Sequence, residues 1–242
     1  MHILLLGKNG QLGWELQRTL APLGVLDAFD FPEIDLTNVE RLSDIIHNIR
    51  PDLIINAAAY TDVDKAEHEP ETAFAVNTHA PARLAEIASD LESAIIHYST
   101  DYVFNGEKGE PYNENDQTNP INVYGQSKLE GEQALLSGDC ACIILRTSWV
   151  YSLRRDSFVT KVLGWSRKKE TLKIVTDQVG SPTWARMLAE ISAQILAKAG
   201  EDTPSWVDQH KGIYHLAGSG AVSRLDGGFG IFIYNAIFRG NV

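Results

Sequence analysis

Tyr124 and Lys128 stand four residues apart in the run Tyr124-Gly-Gln-Ser-Lys128. On a helix, positions i and i+4 share a face, which sets a phenol beside an ammonium. A free tyrosine has a pKa of about 10, too high for easy proton exchange near neutrality. An adjacent lysine cation and an oxidised nicotinamide both favour phenolate and lower that value. A phenol tuned in this way gives its proton to a carbonyl oxygen while hydride arrives at the carbon. Thr100 ends an apolar run upstream. Its hydroxyl is placed to hold the same carbonyl oxygen. The chemistry read from these three residues is the reduction of a ketone.

Such a reduction needs a hydride donor, and the start of the chain offers a cradle for one. Gly7, Gly10 and Gly13 form G-x-x-G-x-x-G between the apolar run His2–Leu6 and a helical pattern from Gln11 to Leu20. Glycines there permit a tight turn and a close approach to a pyrophosphate, and the first N–H groups of the helix face that anion. Asp30 follows the second strand. It reads either as the acid that bonds an adenosine ribose or as a solvated loop acid. A ribose-binding carboxylate disfavours a 2′-phosphate, whereas Lys8 favours one, so NADPH and NADH both stay open. Asp35-Leu36 is placed to wall the adenine. Asn56-Ala-Ala-Ala59 closes the third strand with small side chains that leave room for an extended cofactor.

These residues need a sheet to bring them together. Apolar runs at 2–6, 25–29, 52–57, 94–98 and 140–146 read as strands. Helical patterns at 11–20, 71–91 and 122–136, and one capped by Asn38 and running to Ile49, alternate with them. This order predicts an α/β, Rossmann-type doubly wound parallel sheet. The remainder is less regular, with helices expected over 158–169 and 183–199 and short strands over 172–175 and 213–217. Residues 1–150 read as the dinucleotide-binding core with the catalytic residues. Residues 151–242 read as a smaller substrate lobe interleaved with that core.

Composition narrows the partners. The chain has 32 acidic and 21 basic side chains and a formal net charge of −11. That balance argues against nucleic-acid or anionic-membrane binding. The histidines are scattered, without a catalytic metal-binding spacing, and His97 and His215 read as strand residues. Cys140 and Cys142 share one face of a strand, poorly placed to bridge each other, and read as buried thiols. No disulfide framework, secretory signal or membrane span is visible, and the expectation is a cytoplasmic protein.

The glycine turn, Thr100 and Tyr124-x-x-x-Lys128 together resemble the extended short-chain dehydrogenase/reductases. Within them the chain is most similar to the dTDP-4-dehydrorhamnose reductase family, through GKNGQLG, NAAAYTDVDKAE, STDYVFNG, VYGQSKLEGE, RTSWVY and VTDQVGSPT, over roughly residues 1–218. The resemblance implies NAD(P)H-dependent reduction of a 4-keto dTDP-sugar in dTDP-rhamnose and cell-surface polysaccharide biosynthesis. It assigns the pyrophosphate to Gly10, Gln11 and Leu12, the adenosine to Asp30, Asp35 and Leu36, and the cofactor channel to Ala58, Ala59 and Tyr60. Thr100, Tyr124 and Lys128 become the catalytic triad, and Asp101 and Trp149 contact the sugar nucleotide. Some members form homodimers bridged by magnesium through acids that match Glu15 and Glu190. On their predicted helices these two also read as a solvated face.

Related dehydratases follow the catalytic threonine with an Asp-Glu pair, but here Asp101-Tyr102 follows. Epimerases carry a small-residue run at that point, which Asp101-Tyr-Val-Phe104 does not match. A plain reduction needs only the triad and a hydride donor. The alternatives are another nucleotide-sugar epimerase or reductase of this fold, and a dinucleotide-binding regulatory subunit without catalysis. The segment 221–242 departs from the family pattern, so the resemblance implies an incomplete substrate lobe with an apolar, association-prone end.

Overall fold

The computed structural model describes residues 1–169, 171–200 and 202–228. In chain order its strands are β1 (His2–Leu6), β2 (Val25–Phe29), β3 (Leu53–Asn56), β4 (Ala94–Thr100), β5 (Ala141–Thr147), β6 (Val150–Tyr151), β7 (Val179–Gly180), β8 (Thr183–Trp184), β9 (Gly212–His215) and β10 (Val222–Ser223). Its helices are α1 (Gln11–Leu20), α2 (Val39–Ile49), α3 (Val63–Ala66), α4 (Pro70–Phe74), α5 (Ala80–Leu91), α6 (Val123–Ser137), α7 (Phe158–Ser166), α8 (Ala185–Ala199) and α9 (Thr203–Gln209).

Six parallel strands form the main sheet in the order β2-β1-β3-β4-β5-β9. Alternation along β1 divides the core. Leu4 and Leu6 join Leu42 and Ile46 of α2, Leu84 of α5 and Leu135 of α6 on one face. Ile3 and Leu5 join Leu12 and Leu16 of α1, Leu188 of α8 and Val207 of α9 on the other. β3 and β4 are buried along their whole length, as strands covered on both faces must be. After β2 the chain crosses β1 to reach β3. The crevice between the carboxyl ends of β1 and β3 is therefore the switch point at which this architecture binds ligands.

Side-chain caps set the starts of several helices, α2 and α6 among them. Asn38 Oδ1 accepts from Arg41 N–H at the start of α2, and Asn122 Oδ1 accepts from Gly125 N–H at the start of α6. The latter cap fixes where Tyr124 and Lys128 fall on their helix.

Three expectations are corrected. Residues 172–175 alternate in exposure but pair with no strand among the described residues, so they are extended without being part of a sheet. The single helix expected over 71–91 starts at Pro70 and is interrupted by a π-helical turn, Ala75–His79. That turn brings Asn77 inward, where its amide bonds both the N–H and the carbonyl of Tyr60 and the hydroxyl of Ser127. Residues 183–184, expected to be helical, form β8 beside β6.

The later part of the chain is divided between two layers. α8 and β9 complete the main sheet and its cover, whereas the pairs β6/β8 and β7/β10 stand beside it with α7. From residue 229 on, the expectation for 221–242 lies outside the described residues. Among the described residues, no helix is long and apolar enough to cross a membrane.

Candidate active site

Gly7 occupies the left-handed region, with φ of 88°. A Cβ at this position would lie 2.7 Å from Ala58 N, so β1 and the segment after β3 close together only around a glycine. Gly10 caps α1 with no side-chain hydrogen bond, and the first N–H groups of the helix have no acceptor within it. A cavity of about 330 Å³ opens beside this turn, lined by Gly7, Asp30, Asp35, Leu36, Ala58 and Ala59 among others. The glycine cradle fits a pyrophosphate, and the cavity fits the adenosine end of a dinucleotide.

Asp30 also fixes the turn. Its carboxylate accepts from the N–H groups of Asn9 and Phe31, both at 2.8 Å. Asp35 is held by its own loop, accepting from the N–H and hydroxyl of Thr37. Lys8 is ion-paired with Glu33. The Gln11 side chain reaches away from the turn to the Val150 carbonyl at 3.3 Å, and accepts from the Ser152 hydroxyl at 3.2 Å. Tyr60 packs near Tyr124 and donates its hydroxyl to Glu69.

Thr100 ends β4, and Tyr124 is the second residue of α6, so both stand at the carboxyl edge of the sheet. The Tyr124 ring meets Tyr102 edge-on, with centroids 5.4 Å apart. Burial raises the Tyr124 phenol above its ordinary pKa, and the Thr100 hydroxyl works in the opposite direction. Lys128 is not among the groups that shift it. Lys128 is wholly buried, and its Nζ lies 3.0 Å from His97 Nε2 and donates to the Tyr98 carbonyl at 2.8 Å. Helical spacing sets the two residues on one face, but the lysine nitrogen is drawn toward the sheet by these partners. Burial pushes the lysine down to about 8, against the pull of Glu132.

Next to Tyr124, Thr100 Oγ1 donates to Asp101 Oδ1 at 3.2 Å. Burial pushes the Asp101 carboxyl up to about 6. Trp149 follows β5 with φ of 44°, a conformation rarely adopted by a bulky residue. Its ring lies against Gly180, where a Cβ would come within 2.6 Å of it. The Arg224 guanidinium stands over Trp149 and also over Phe158, 4.7 Å from that ring centre. Among the described residues, this guanidinium has no carboxylate within salt-bridge reach.

Glu15 and Glu190 do not form a metal site within the chain. Glu190 is engaged by Arg186 Nε at 2.8 Å, one turn away on α8, and that cation also lies in the field of Glu15. A guanidinium beside these carboxylates repels a divalent cation. Among the described residues, no cluster of three or more potential metal ligands occurs.

Sequence reasoning missed His97 and Arg224. His97 sits in a seven-residue buried strand and reads as core; its only signal is a polar side chain on that run. Arg224 lies far along the chain, and β10 brings it to Trp149 by pairing with β7, which contains Gly180.

The family model described as the RmlD substrate binding domain matches residues 1–237, further than the motifs quoted from the sequence. The dTDP-4-dehydrorhamnose reductase of Escherichia coli (strain K12) is 44% identical over 230 residues, covering 93% of this chain and 75% of the relative. A crystal structure of a dTDP-4-dehydrorhamnose reductase from Clostridium acetobutylicum superposes with a TM-score of 0.90 at 34% identity, covering 98% of this chain and 81% of that one. The Bacillus anthracis enzyme in complex with NADP gives 0.88 at 33% identity, covering 97% and 80%. The chain belongs to the dTDP-4-dehydrorhamnose reductase family.

Proposed function

We propose that this chain reduces the 4-keto group of dTDP-4-dehydrorhamnose to give dTDP-rhamnose, with NADPH or NADH as hydride donor. The observation that carries this reading is that Thr100, Tyr124 and the helix bearing Lys128 lie at the carboxyl edge of the sheet, as do the glycine turn and its cavity. When bound, the dihydronicotinamide supplies the hydride. Thr100 and Tyr124 hold the keto oxygen, and Tyr124 gives it the proton. As the ammonium, Lys128 stabilises the resulting phenolate once its nitrogen turns from His97 toward Tyr124. Arg224 and Trp149 form the wall for the sugar nucleotide. The cation is half-buried and, among the described residues, has no carboxylate partner, which suits it to meet a phosphate.

Cofactor choice depends on Asp30 and Lys8. Asp30 faces the cavity and disfavours a 2′-phosphate, and Lys8 is already neutralised by Glu33, which argues for NADH over NADPH. The Bacillus anthracis relative holds NADP, which argues the other way, so both cofactors belong in the assay. The reading also includes a cytoplasmic homodimer, with a core of residues 1–150 and a substrate lobe from residue 151. No step is routed through magnesium. A competing reading, a dinucleotide-binding subunit without turnover, draws on the contact of Lys128 with His97 in place of Tyr124. Loss of nicotinamide absorbance on mixing the protein with either cofactor and dTDP-4-dehydrorhamnose supports the reductase. Cofactor binding with no loss of absorbance sinks it and leaves the binding subunit. Sedimentation tests the dimer.

A further inference from the structure

A fully buried polar chain runs from β3 to the catalytic helix. Asn56 is 0% exposed, and His97 and Lys128 are 1% each. Asn56 Oδ1 accepts from the N–H of Ala58 at 3.2 Å, which turns the amide nitrogen toward His97 Nδ1 at 3.1 Å. An amide nitrogen only donates, so Nδ1 accepts and the neutral imidazole carries its hydrogen on Nε2. That N–H points at Lys128 Nζ, 3.0 Å away. An ammonium has three donors and no acceptor, so the contact would set donor against donor. The uncharged amine has the lone pair this contact needs and keeps an N–H for the Tyr98 carbonyl. Protonating His97 does not relieve the conflict, because an imidazolium donates from both nitrogens, and burial holds the imidazole well below its ordinary pKa.

Few other groups reach the lysine. Glu132 lies one turn along α6, but Arg146 of β5 engages it through Nε at 2.9 Å and Nη2 at 2.6 Å. Tyr124 lies one turn back on the same helix. β3 contributes the neutral Asn56. The π-helical turn contributes Asn77, which is neutral and bonded to Ser127.

We infer that His97 is a positioning residue for Lys128: it holds the lysine nitrogen against the sheet as the neutral amine, and the ammonium forms as the side chain leaves His97 for Tyr124, taking one proton from solvent. The histidine thereby ties the lysine's charge to its position. The inference rests on the reductase reading only in naming Tyr124 as the destination.

The test is lysine ε-¹³C NMR of the full chain across pH, with the Lys128 resonance assigned by its loss in Lys128→Met. The wild-type midpoint is expected near the value of about 8 that burial sets. His97→Gln places an amide oxygen where Nε2 stood, an acceptor that suits the ammonium, and the midpoint should rise by about one pH unit. Asn56→Leu frees Nδ1 to carry the hydrogen and lets Nε2 accept. The midpoint should rise again, although a more apolar neighbour alone would lower it. If one variant fails to fold, the other carries the test. A midpoint unchanged or lowered in every folded variant overturns the inference. Turnover is followed in parallel, and its loss at high pH should move upward with the NMR midpoint. A wild type that never turns over sinks the reductase reading, while the NMR midpoints still decide this one.

Discussion

The guanidinium carbon of Arg224 lies 3.7 Å from the ring centre of Trp149. The indole is thus held between a cation and the backbone of Gly180, at the wall assigned to the sugar nucleotide. A methyl group at Gly180 would lie 2.6 Å from the indole, far inside van der Waals contact, and must displace the ring toward Arg224. Gly180→Ala is expected to raise KM for the dTDP-sugar roughly ten- to a hundredfold. The affinity for the dinucleotide, bound at the opposite end of the cleft, should stay the same. Equal losses for both ligands would show that the substitution unfolds the lobe and would refute the local account.

Tyr124→Phe keeps the ring edge-on to Tyr102 and removes only the hydroxyl. The rate of ketone reduction should fall by about 10²–10⁴. Stability should fall by no more than about 1–2 kcal/mol, the worth of one buried hydrogen bond, because the ring stays in place. Steady-state kinetics alongside a melting curve check both halves, and an unchanged kcat would remove Tyr124 as the proton donor.

Asp101 predicts a pH dependence of stability. Burial raises its carboxyl from an ordinary 3.8 to about 6, so the folded protein holds this proton more tightly than the unfolded chain does. The resulting stabilisation is complete below the unfolded value and is lost as pH rises through about 6. Asp101→Asn, which cannot ionise, should exceed the wild type at pH 7 by up to about 3 kcal/mol and match it near pH 4. Denaturant titrations at the two pH values make the comparison. A gap of the same size at both would discount the carboxyl.

Arg146 and Glu132 form an almost wholly buried ion pair between β5 and α6, with Arg146 Nη1 left without a partner among the described residues. Removing one charge strands the other away from water. Arg146→Met should cost about 3–5 kcal/mol, and adding Glu132→Leu should restore much of the loss. A double variant no more stable than the single one would show that shape, not charge, holds this contact.

Much of the frame is legible in the sequence because it rests on local signals. The apolar runs locate the first five strands to within a residue or two, Asn38 and Asn122 announce their helices, and the glycine spacing marks the turn on which Gly7 sits. The switch-point crevice follows from the order of the strands. The chemistry between distant segments is less visible. Spacing alone sets Lys128 beside Tyr124, but whether its nitrogen turns to the phenol or to the sheet depends on His97, 31 positions upstream. The interruption at Ala75–His79 is hidden as well, because Asn77 turns inward to partners on Tyr60 and Ser127, outside its own segment. Residues 172–175 show the converse: a strand-like alternation that no strand among the described residues completes.

The main sheet is closed by its last strand in sequence. β5, buried along nearly all its length, gains its outer neighbour only when Gly212–His215 pairs with Ile143–Arg146. During synthesis that partner leaves the ribosome well after β5, a delay of roughly 3–14 s at 5–20 residues per second. For that interval the nascent chain carries an unpaired row of backbone donors and acceptors along an apolar strand, the kind of edge that recruits other chains. Yield in the cell therefore depends on how quickly the tail arrives to cap it.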